Sequence, residues 1–277
     1  MDPAPLRDLS RLCVHTMTTR PWSLEEAERE YAAAGVRGIS VWREALEGRD
    51  PKTAGERLRQ QGLTVVSLCR GGFFPATTLE GRAQALDTNR RCIDQAAELG
   101  APLLVLVCGA VAGQPLVESR KQIAEAIAAL LPHAASAQVK LAIEPLHPMY
   151  ADSRSAVSTL DQAHRICQEL ASPWLGVAVD VYHVWWDDRL KQGIEACGRA
   201  RQLFAFHVCD WRTPTVDLLN DRGLMGEGCI PLRQIRGWME SAGFDGFIEA
   251  EVFSNRLWSM DQRKVLEDLK TAYLRHC

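Results

Sequence analysis

Several features that would assign the chain to another class of protein are missing from its sequence. No apolar stretch is long enough to cross a membrane, and the first residues lack the basic start and apolar run of a secretory signal peptide. The nine cysteines are scattered without a Cys-x-x-Cys pair, so a structural zinc cluster is not expected. We therefore expect a cytoplasmic protein whose cysteines serve mostly as small apolar core residues.

Neither sign of charge is in strong excess. The 277 residues include 32 Lys or Arg and 35 Asp or Glu, which gives a net charge of −3 with neutral histidines. No basic excess indicates a nucleic-acid partner, and no acidic tail indicates a basic one. Linkers and low-complexity tracts are missing too. We therefore expect one domain over residues 1–277 that acts on a small molecule, with no nucleic-acid or membrane partner. A homo-oligomer is compatible with the sequence, although no interface motif identifies one.

What the chain does contain is a regular alternation of short apolar runs and amphipathic helical stretches. The mean spacing of the runs is about 34 residues, close to the repeat of a 250-residue (β/α)8 barrel. The runs are continuous, which is typical of parallel strands covered by helices. The first turn, HTMTTRPW, lacks the glycines of a doubly wound open sheet. The pattern predicts an α/β protein with a TIM barrel built on eight strands, RLCVHTM, VRGISVW, LTVVSLC, PLLVLVCG, VKLAIEPL, LGVAVDVY, LFAFHVCDW and GFIEAEVF.

The stretches between these runs carry helix start and stop signals. Ser23 and Glu26 have the spacing of a capping box at the start of SLEEAEREYAAAG, and Gly35 is a good residue to end that helix. SAVSTLDQAHRICQEL and PLRQIRGWMESAG read in the same way, and DQRKVLEDLKTAYLRHC would close the outer ring of helices.

Side chains alternate in direction along a strand, so each run predicts an inner and an outer face. Small and polar residues suit the barrel axis, and large apolar residues suit the helix layer. Residues predicted to face the axis are Ala142, Glu144, Gly176, Ala178, Asp180, Leu203, Ala205, His207, Glu249, Glu251 and Phe253. Residues predicted to face the helices are Leu141, Ile143, Val177, Val179, Val181, Phe204, Phe206, Val208, Ile248, Ala250 and Val252.

The last four strands each place an acid or a histidine on the inner face near the carboxyl end, where barrel enzymes carry their active sites. Three carboxylates converging there would repel one another unless some stayed protonated or a cation joined them. We therefore predict a divalent metal ion held by Glu144, Asp180, His207 and Glu251. Because the set is mostly oxygen, manganese is our first choice, with magnesium, cobalt and zinc as alternatives. Glu251 is preferred over Glu249 because it lies one layer nearer the carboxyl end, which leaves Glu249 to support the site or pair with a basic side chain.

At these residues the sequence resembles the xylose-isomerase-like barrel superfamily, often called sugar phosphate isomerases/epimerases. That group includes ketose 3-epimerases, 2-keto-myo-inositol isomerase and inosose dehydratase. The resemblance covers nearly the whole chain and is densest from LAIEPLHP to GFIEAEVFS. In those families Glu, Asp, His and Glu from the last four strands hold the metal. The resemblance implies Glu144 of AIEP, Asp180 of VDVYH, His207 of FHVCDW and Glu251 of GFDGFIEAE as the ligands.

The resemblance also implies residues that contact the substrate. His183 fits an Asp-x-x-His pattern in which the histidine touches a substrate hydroxyl, and His147 lies in the preceding strand-end loop. Epimerases place an arginine a few residues after the ligand histidine, and Arg212 is near that position with a spacing one residue short. Strand-end aromatic residues could form an apolar wall, namely Trp42, Phe73, Trp185 and Trp186. Arg43 and Arg70, in the loops after strands two and three, could bind a polar or anionic substrate group.

The activity implied is a metal-dependent isomerisation or epimerisation of a keto sugar or keto cyclitol through an enediolate, with Glu144 and Glu251 as acid and base. A dehydratase or lyase on the same centre is the alternative, including an enzyme that cleaves a 3-keto glycoside, and His147 or His15 could supply its general acid. A non-catalytic sugar-binding or partner subunit would keep the metal for structure alone. A related endonuclease would need more histidine ligands and a basic face for DNA, whereas this chain has seven His and a net charge of −3.

Overall fold

A computed structural model describes residues 3–277, and its centre is a closed barrel of eight parallel strands. Each barrel strand pairs with its neighbour in chain order, and the last pairs with the first, so the predicted TIM barrel is confirmed. The barrel strands are β1 Leu12–His15, β2 Gly38–Trp42, β3 Thr64–Gly72, β4 Leu103–Val107, β5 Lys140–Ile143, β6 Leu175–Asp180, β7 Leu203–Val208 and β10 Ile248–Ala250. Two further strands, β8 Asp210–Trp211 and β9 Arg222–Gly223, form an antiparallel ribbon in the loop after β7.

Helices follow the strands and cover the barrel. The longer ones are α1 Leu24–Ala33, α2 Pro51–Gln60, α3 Leu79–Leu99, α4 Leu116–Ser136, α5 Leu160–Leu170, α7 Leu190–Arg199, α8 Leu232–Ser241 and α10 Gln262–His276. Two single turns, α6 Val181–Val184 and α9 Asn255–Trp258, lie at the carboxyl end of the barrel. The capping box of Ser23 and Glu26 is present at the start of α1. Within residues 3–277 no helix has the length and apolarity that a membrane span requires.

The core has two layers, as the alternation along the strands predicts. The outer layer lies between strands and helices and includes Leu141, Ile143, Val177 and Val179. The inner layer fills the barrel axis with a smaller set, Trp42, Cys69, Leu103, Val105, Ala142, Ala178, Ala205 and Phe253. Eight of the nine cysteines are buried, and only Cys229 is exposed. The cysteines therefore act as small core residues, as expected.

The predicted alternation is wrong at the start of β7. Leu203 packs against the outer layer and Phe204 against the inner one, the reverse of the prediction. The pairing between β6 and β7 shifts at this point, because Leu203 pairs with Val177 and Ala205 pairs with the next residue, Ala178. Phe204 is thus left out of the ladder, and such a bulge cannot be inferred from alternation alone. The later residues of β7, including His207, keep their predicted faces.

Helices α2 and α3 approach closely at Gly55. A Cβ added there would lie 2.0 Å from the carbonyl oxygen of Leu99. We expect Gly55→Ala to lower the free energy of unfolding by about 1–3 kcal/mol, because the backbones must separate. The matched control is Gly237→Ala in α8, where the nearest atoms belong to Pro3 at 3.0 Å. That change should be neutral or stabilising by up to about 1 kcal/mol, because alanine favours helix. Urea unfolding of both variants tests this, and a Gly55→Ala protein as stable as the parent would contradict it.

Candidate metal centre

The four predicted ligands come together at the carboxyl end of the barrel. Glu144 directly follows β5, Asp180 ends β6, His207 is the last residue but one of β7, and Glu251 directly follows β10. These four strands are neighbours in the barrel. One potential ligand atom of each residue lies within 4.8 Å of those of the other three, and all four residues are buried.

Several polar atoms of this cluster are buried without a hydrogen-bond partner. His207 Nδ1 lies 2.9 Å from Glu144 Oε1, yet neither atom makes a hydrogen bond in the described part of the chain, and His207 Nε2 makes none either. Buried polar atoms are normally satisfied, because an unpaired one costs free energy. A divalent cation between three carboxylates and an imidazole would satisfy these atoms, so the donor set fits such an ion.

Charge within the cluster favours a cation as well. Burial raises the pKa of Asp180 to about 7, Arg222 opposes that rise, and the neighbouring carboxylate of Glu251 adds to it. Burial by itself would lower the pKa of His207, but the Glu249 charge and the contact with Glu144 outweigh it and raise the pKa to about 10. Protons therefore occupy ligand atoms that a divalent ion would take.

Arg222 is the residue at this cluster that the sequence did not identify. It lies on β9, and its Nη1 donates to Asp180 Oδ2 at 3.1 Å and to Glu251 Oε2 at 2.9 Å. The guanidinium is buried and packs over the rings of Tyr182 and Phe253. Its position depends on the β8–β9 ribbon, which folds back over the barrel. The number of residues between His207 and Arg222 therefore does not predict that the two lie close together.

Arg212, which the resemblance implies as a substrate contact, is placed elsewhere. Its guanidinium pairs with Asp221 within the same loop, and a third of its side chain is exposed. No described contact joins it to the four clustered residues. Arg222 is thus the arginine that the structure sets against the candidate ligands.

His183 and His147 lie at the rim of the cluster. His183 is buried on α6, and its Nε2 is 3.6 Å from Asp180 Oδ2 and 3.4 Å from Arg222 Nη2. Burial, followed by the charge of Arg222, holds the pKa of His183 well below its usual range, so this imidazole is neutral. The backbone N–H of His147 donates to His183 Nδ1, and the His147 ring stacks on Trp211 with centroids 5.2 Å apart. Both predicted residues are therefore next to the cluster.

A buried group of polar residues, His15, Ser40 and Glu249, lies next to Glu251 inside the barrel. His15 Nε2 lies 3.1 Å from Glu249 Oε2, and His15 Nδ1 lies 3.0 Å from Glu251 Oε1. Ser40 Oγ donates to the same oxygen of Glu249. Burial opposes protonation of His15, but Glu251 and Glu249 raise its pKa to about 10. Glu249 thus pairs with a basic side chain, which was one of its two predicted roles.

A loop crosses the mouth of the barrel and is tied down at one carbonyl group. The hydroxyls of Tyr150 and Tyr182 both donate to the carbonyl oxygen of Leu218, at 2.6 and 2.9 Å. Leu218 belongs to the segment between β8 and β9. The segment is thereby attached to the loops that follow β5 and β6, on which Glu144 and His183 lie.

An open cleft of about 550 Å³ lies at this end of the barrel, a size suited to a small molecule. Trp42 and Phe253 line it and also belong to the inner layer of the core. Of the other predicted wall residues, Phe73 packs against Arg70, while Trp185 and Trp186 lie beside Trp211 and His147. Arg70 lines the cleft, whereas Arg43 points to Gln95, to which it donates at 2.9 Å.

Comparison with known proteins agrees with this architecture. A family model described as xylose isomerase-like TIM barrel matches residues 28–274. Among curated proteins no match was found.

Solved structures match the chain over almost its full length. Protein SMc04130 from Sinorhizobium meliloti 1021 is 44% identical, with a TM-score of 0.94 over 98% of this chain and 99% of that one. The IOLI protein, crystallised with a binding zinc atom, is 19% identical with a TM-score of 0.81 over 95% and 96%. The 3-keto-D-glucoside 4-epimerase YcjR from E. coli is 19% identical with a TM-score of 0.78 over 96% and 99%. At 19% identity, the last two similarities show a shared fold and nothing further.

The protonation of His207 predicts a steep pH dependence of metal affinity. With a pKa of about 10, His207 must release its proton to bind an ion at any lower pH, and Asp180 releases a second below its own pKa of about 7. We expect the affinity for Mn²⁺ to rise at least about 100-fold from pH 6 to pH 8, at tenfold per unit for each proton released. Calorimetry in buffers of different ionisation enthalpy counts the protons. His133→Gln, which changes a partly exposed histidine of α4, should keep the same slope, and a flat profile in the parent would contradict the assignment.

Removal of Arg222 should make the protein depend on metal for stability. We expect Arg222→Met to destabilise the metal-free protein by about 3–5 kcal/mol, because Asp180 and Glu251 lose a buried partner. Saturating Mn²⁺ should recover most of that loss by replacing the positive charge. Arg212→Met, which breaks a partly exposed pair, should cost only about 0–1 kcal/mol. Melting temperatures in chelator and in Mn²⁺ measure both effects, and equal losses under the two conditions would count against a cation site here.

Proposed function

Because the chain belongs to the xylose isomerase-like TIM barrel family, we propose that it is a divalent-metal-dependent isomerase or epimerase of a keto sugar or keto cyclitol. The observation that carries this proposal is the convergence of Glu144, Asp180, His207 and Glu251 at the mouth of the barrel. Polar atoms of Glu144 and His207 have no hydrogen-bond partner there within residues 3–277. A cleft of suitable size opens at the same end.

The four residues would hold the ion. When bound, it would act as a Lewis acid toward the substrate carbonyl and the neighbouring hydroxyl. This favours loss of the proton from the carbon that carries that hydroxyl. Manganese remains our first choice for this oxygen-rich set, and the zinc in the IOLI crystal structure makes zinc the first alternative to test.

Glu144 and Glu251 are the proposed acid and base. They follow β5 and β10, which are separated in the barrel by β6 and β7, so the two carboxylates approach from different sides. Burial opposes ionisation of Glu251, but His15 and then Arg222 bring its pKa well below the usual range, so this carboxylate is ionised at neutral pH. One carboxylate would remove the proton beside the carbonyl to give an enediolate, and the other would return a proton to the opposite face.

Neutral His183 would orient a substrate hydroxyl. Its Nδ1 accepts a hydrogen bond from the backbone N–H of His147, and its Nε2 faces Asp180 Oδ2 and the guanidinium of Arg222. A buried imidazole whose pKa is held well below its usual range suits a hydrogen bond better than proton transfer. This supports carboxylates as the groups that move protons.

The dehydratase or lyase alternative requires a general acid beside the leaving hydroxyl. His15 is fully buried with both ring nitrogens against glutamates, so it is poorly placed to reach a substrate. His147 Nδ1 accepts a hydrogen bond from the backbone of Met149, and burial lowers its pKa, which weakens it as a proton donor at neutral pH. These contacts favour isomerisation or epimerisation. The relative named as a 3-keto-D-glucoside 4-epimerase supports a keto sugar as the substrate class.

NMR in D₂O with a panel of ketohexoses, inososes and 3-keto glycosides tests the proposal, with Mn²⁺ present and with chelator as control. We expect metal-dependent deuterium uptake at a carbon beside the carbonyl, with the carbon skeleton retained. Glu144→Gln and Glu251→Gln should each reduce that rate at saturating metal by at least about 100-fold. The exposed substitution Glu98→Gln should leave it unchanged.

The other outcomes are equally informative. Loss of water or of an aglycone would assign a lyase to the same centre. Failure of a folded, metal-loaded protein to exchange deuterium with any member of the panel would favour a non-catalytic sugar-binding role.

A further inference from the structure

The cleft at the carboxyl end of the barrel is lined by an excess of positive charge, although the chain as a whole carries a net charge of −3. Among the described residues, the charged groups that line it are Arg20, Glu44, Arg49, Arg70 and Arg154. Arg49 is neutralised by two hydrogen bonds to Glu25, at 2.9 and 2.7 Å. Three arginines therefore face one glutamate in a cleft where low-dielectric walls concentrate the field.

Arg70 has no carboxylate within hydrogen-bonding distance among the described residues. It lies at the end of β3, between the rings of Trp42 and Phe73, at 5.6 and 4.9 Å from their centroids. Its Nε is buried without a hydrogen-bond partner in residues 3–277, and the nearest carboxylate oxygen, on Glu44, is 3.8 Å away. The stacking fixes the guanidinium in place without neutralising its charge.

Arg154 is even less compensated. Within the described chain its side chain makes neither a hydrogen bond nor an ion pair, and the guanidinium packs over Tyr150 at 5.6 Å. Its backbone is anchored, because the N–H of Gly109 donates to its carbonyl oxygen at 2.8 Å. Burial and then the charge of Arg70 lower the pKa of Arg154, which expresses the free-energy cost of partly burying this charge beside a like charge.

We propose that Arg70 and Arg154 together bind an anionic group of the substrate, a carboxylate or a phosphate. Guanidinium groups recognise both by paired hydrogen bonds, and such a group would remove the repulsion between the two arginines. The inference that the rest of this molecule is a keto sugar rests on the function proposed above.

The position of the pair sets how such a substrate would lie. Arg154 is close enough to Glu144 for the carboxylate charge to affect its pKa. The anionic group would therefore be held on the β3 and β5 side of the mouth, and the carbonyl end would lie over the four candidate ligands. Binding at two points orients the chain of carbons and selects which carbon loses its proton.

Binding of inorganic phosphate tests the pair without requiring turnover. We expect phosphate to bind the metal-loaded protein in calorimetry at constant ionic strength. Arg70→Gln and Arg154→Gln should each weaken that binding about tenfold or more, because a charge-assisted contact is lost. The matched control is Arg199→Gln, an exposed arginine at the carboxyl end of α7 and thus at the opposite end of the barrel. Mn²⁺ affinity, measured in the same proteins, should not fall in any of the three variants, because none of them removes a candidate ligand.

Deuterium exchange with D-fructose, D-fructose 6-phosphate and a hexuronate ketose identifies the anion. We expect one of the two charged ketoses to exceed D-fructose at least about tenfold in kcat/KM, and Arg154→Gln to remove that preference through KM. Equal phosphate binding by the Arg154→Gln and Arg199→Gln proteins, or a preference for the neutral ketose, would overturn the proposal. If phosphate binding falls only in the two cleft variants while no ketose exchanges deuterium, the anion site stands and the proposed reaction fails.

Discussion

Mutual repulsion among buried carboxylates is the constraint on which the mouth of this barrel depends. Four acidic residues are buried around His207, namely Glu144, Asp180, Glu249 and Glu251. Arg222 and a protonated His15 supply two positive charges against these four acids. A divalent ion bound with neutral His207 would supply the other two, in place of the protons that His207 and Asp180 hold in the metal-free protein. The protein groups around the centre thus leave a place for two further positive charges.

The inner layer of the barrel leaves space at the axis for three of the four candidate ligands. Ala142, Ala178 and Ala205 lie two residues before Glu144, Asp180 and His207, on the same face of their strands. Small residues at this level leave space at the axis, so the next inward side chains can converge without displacing the strands. Hydrogen-bonded strands hold the ligand positions more rigidly than loops would, which suits a centre that depends on distances between oxygens.

Much of this arrangement can be predicted from the sequence, because it follows from local periodicity. The eight strands repeat at regular spacing, and alternation alone places Glu144, Asp180, His207 and Glu251 on the axis. What the sequence did not predict depends on contacts between distant parts of the chain. Arg222 reaches the centre only through the β8–β9 ribbon, and His15 meets Glu249 only because the barrel closes β1 onto β10. The bulge that reverses Leu203 and Phe204 likewise arises from how β7 pairs with β6.

The carbonyl group of Leu218, which accepts hydrogen bonds from Tyr150 and Tyr182, has a consequence for motion. It joins three loops at one point, so the segment that carries Arg222 cannot swing outward without breaking both contacts. Large opening movements of this loop are therefore expected to be rare on the timescale of substrate entry. The two contacts therefore favour a mouth whose shape is set before a substrate enters over one that a moving lid completes.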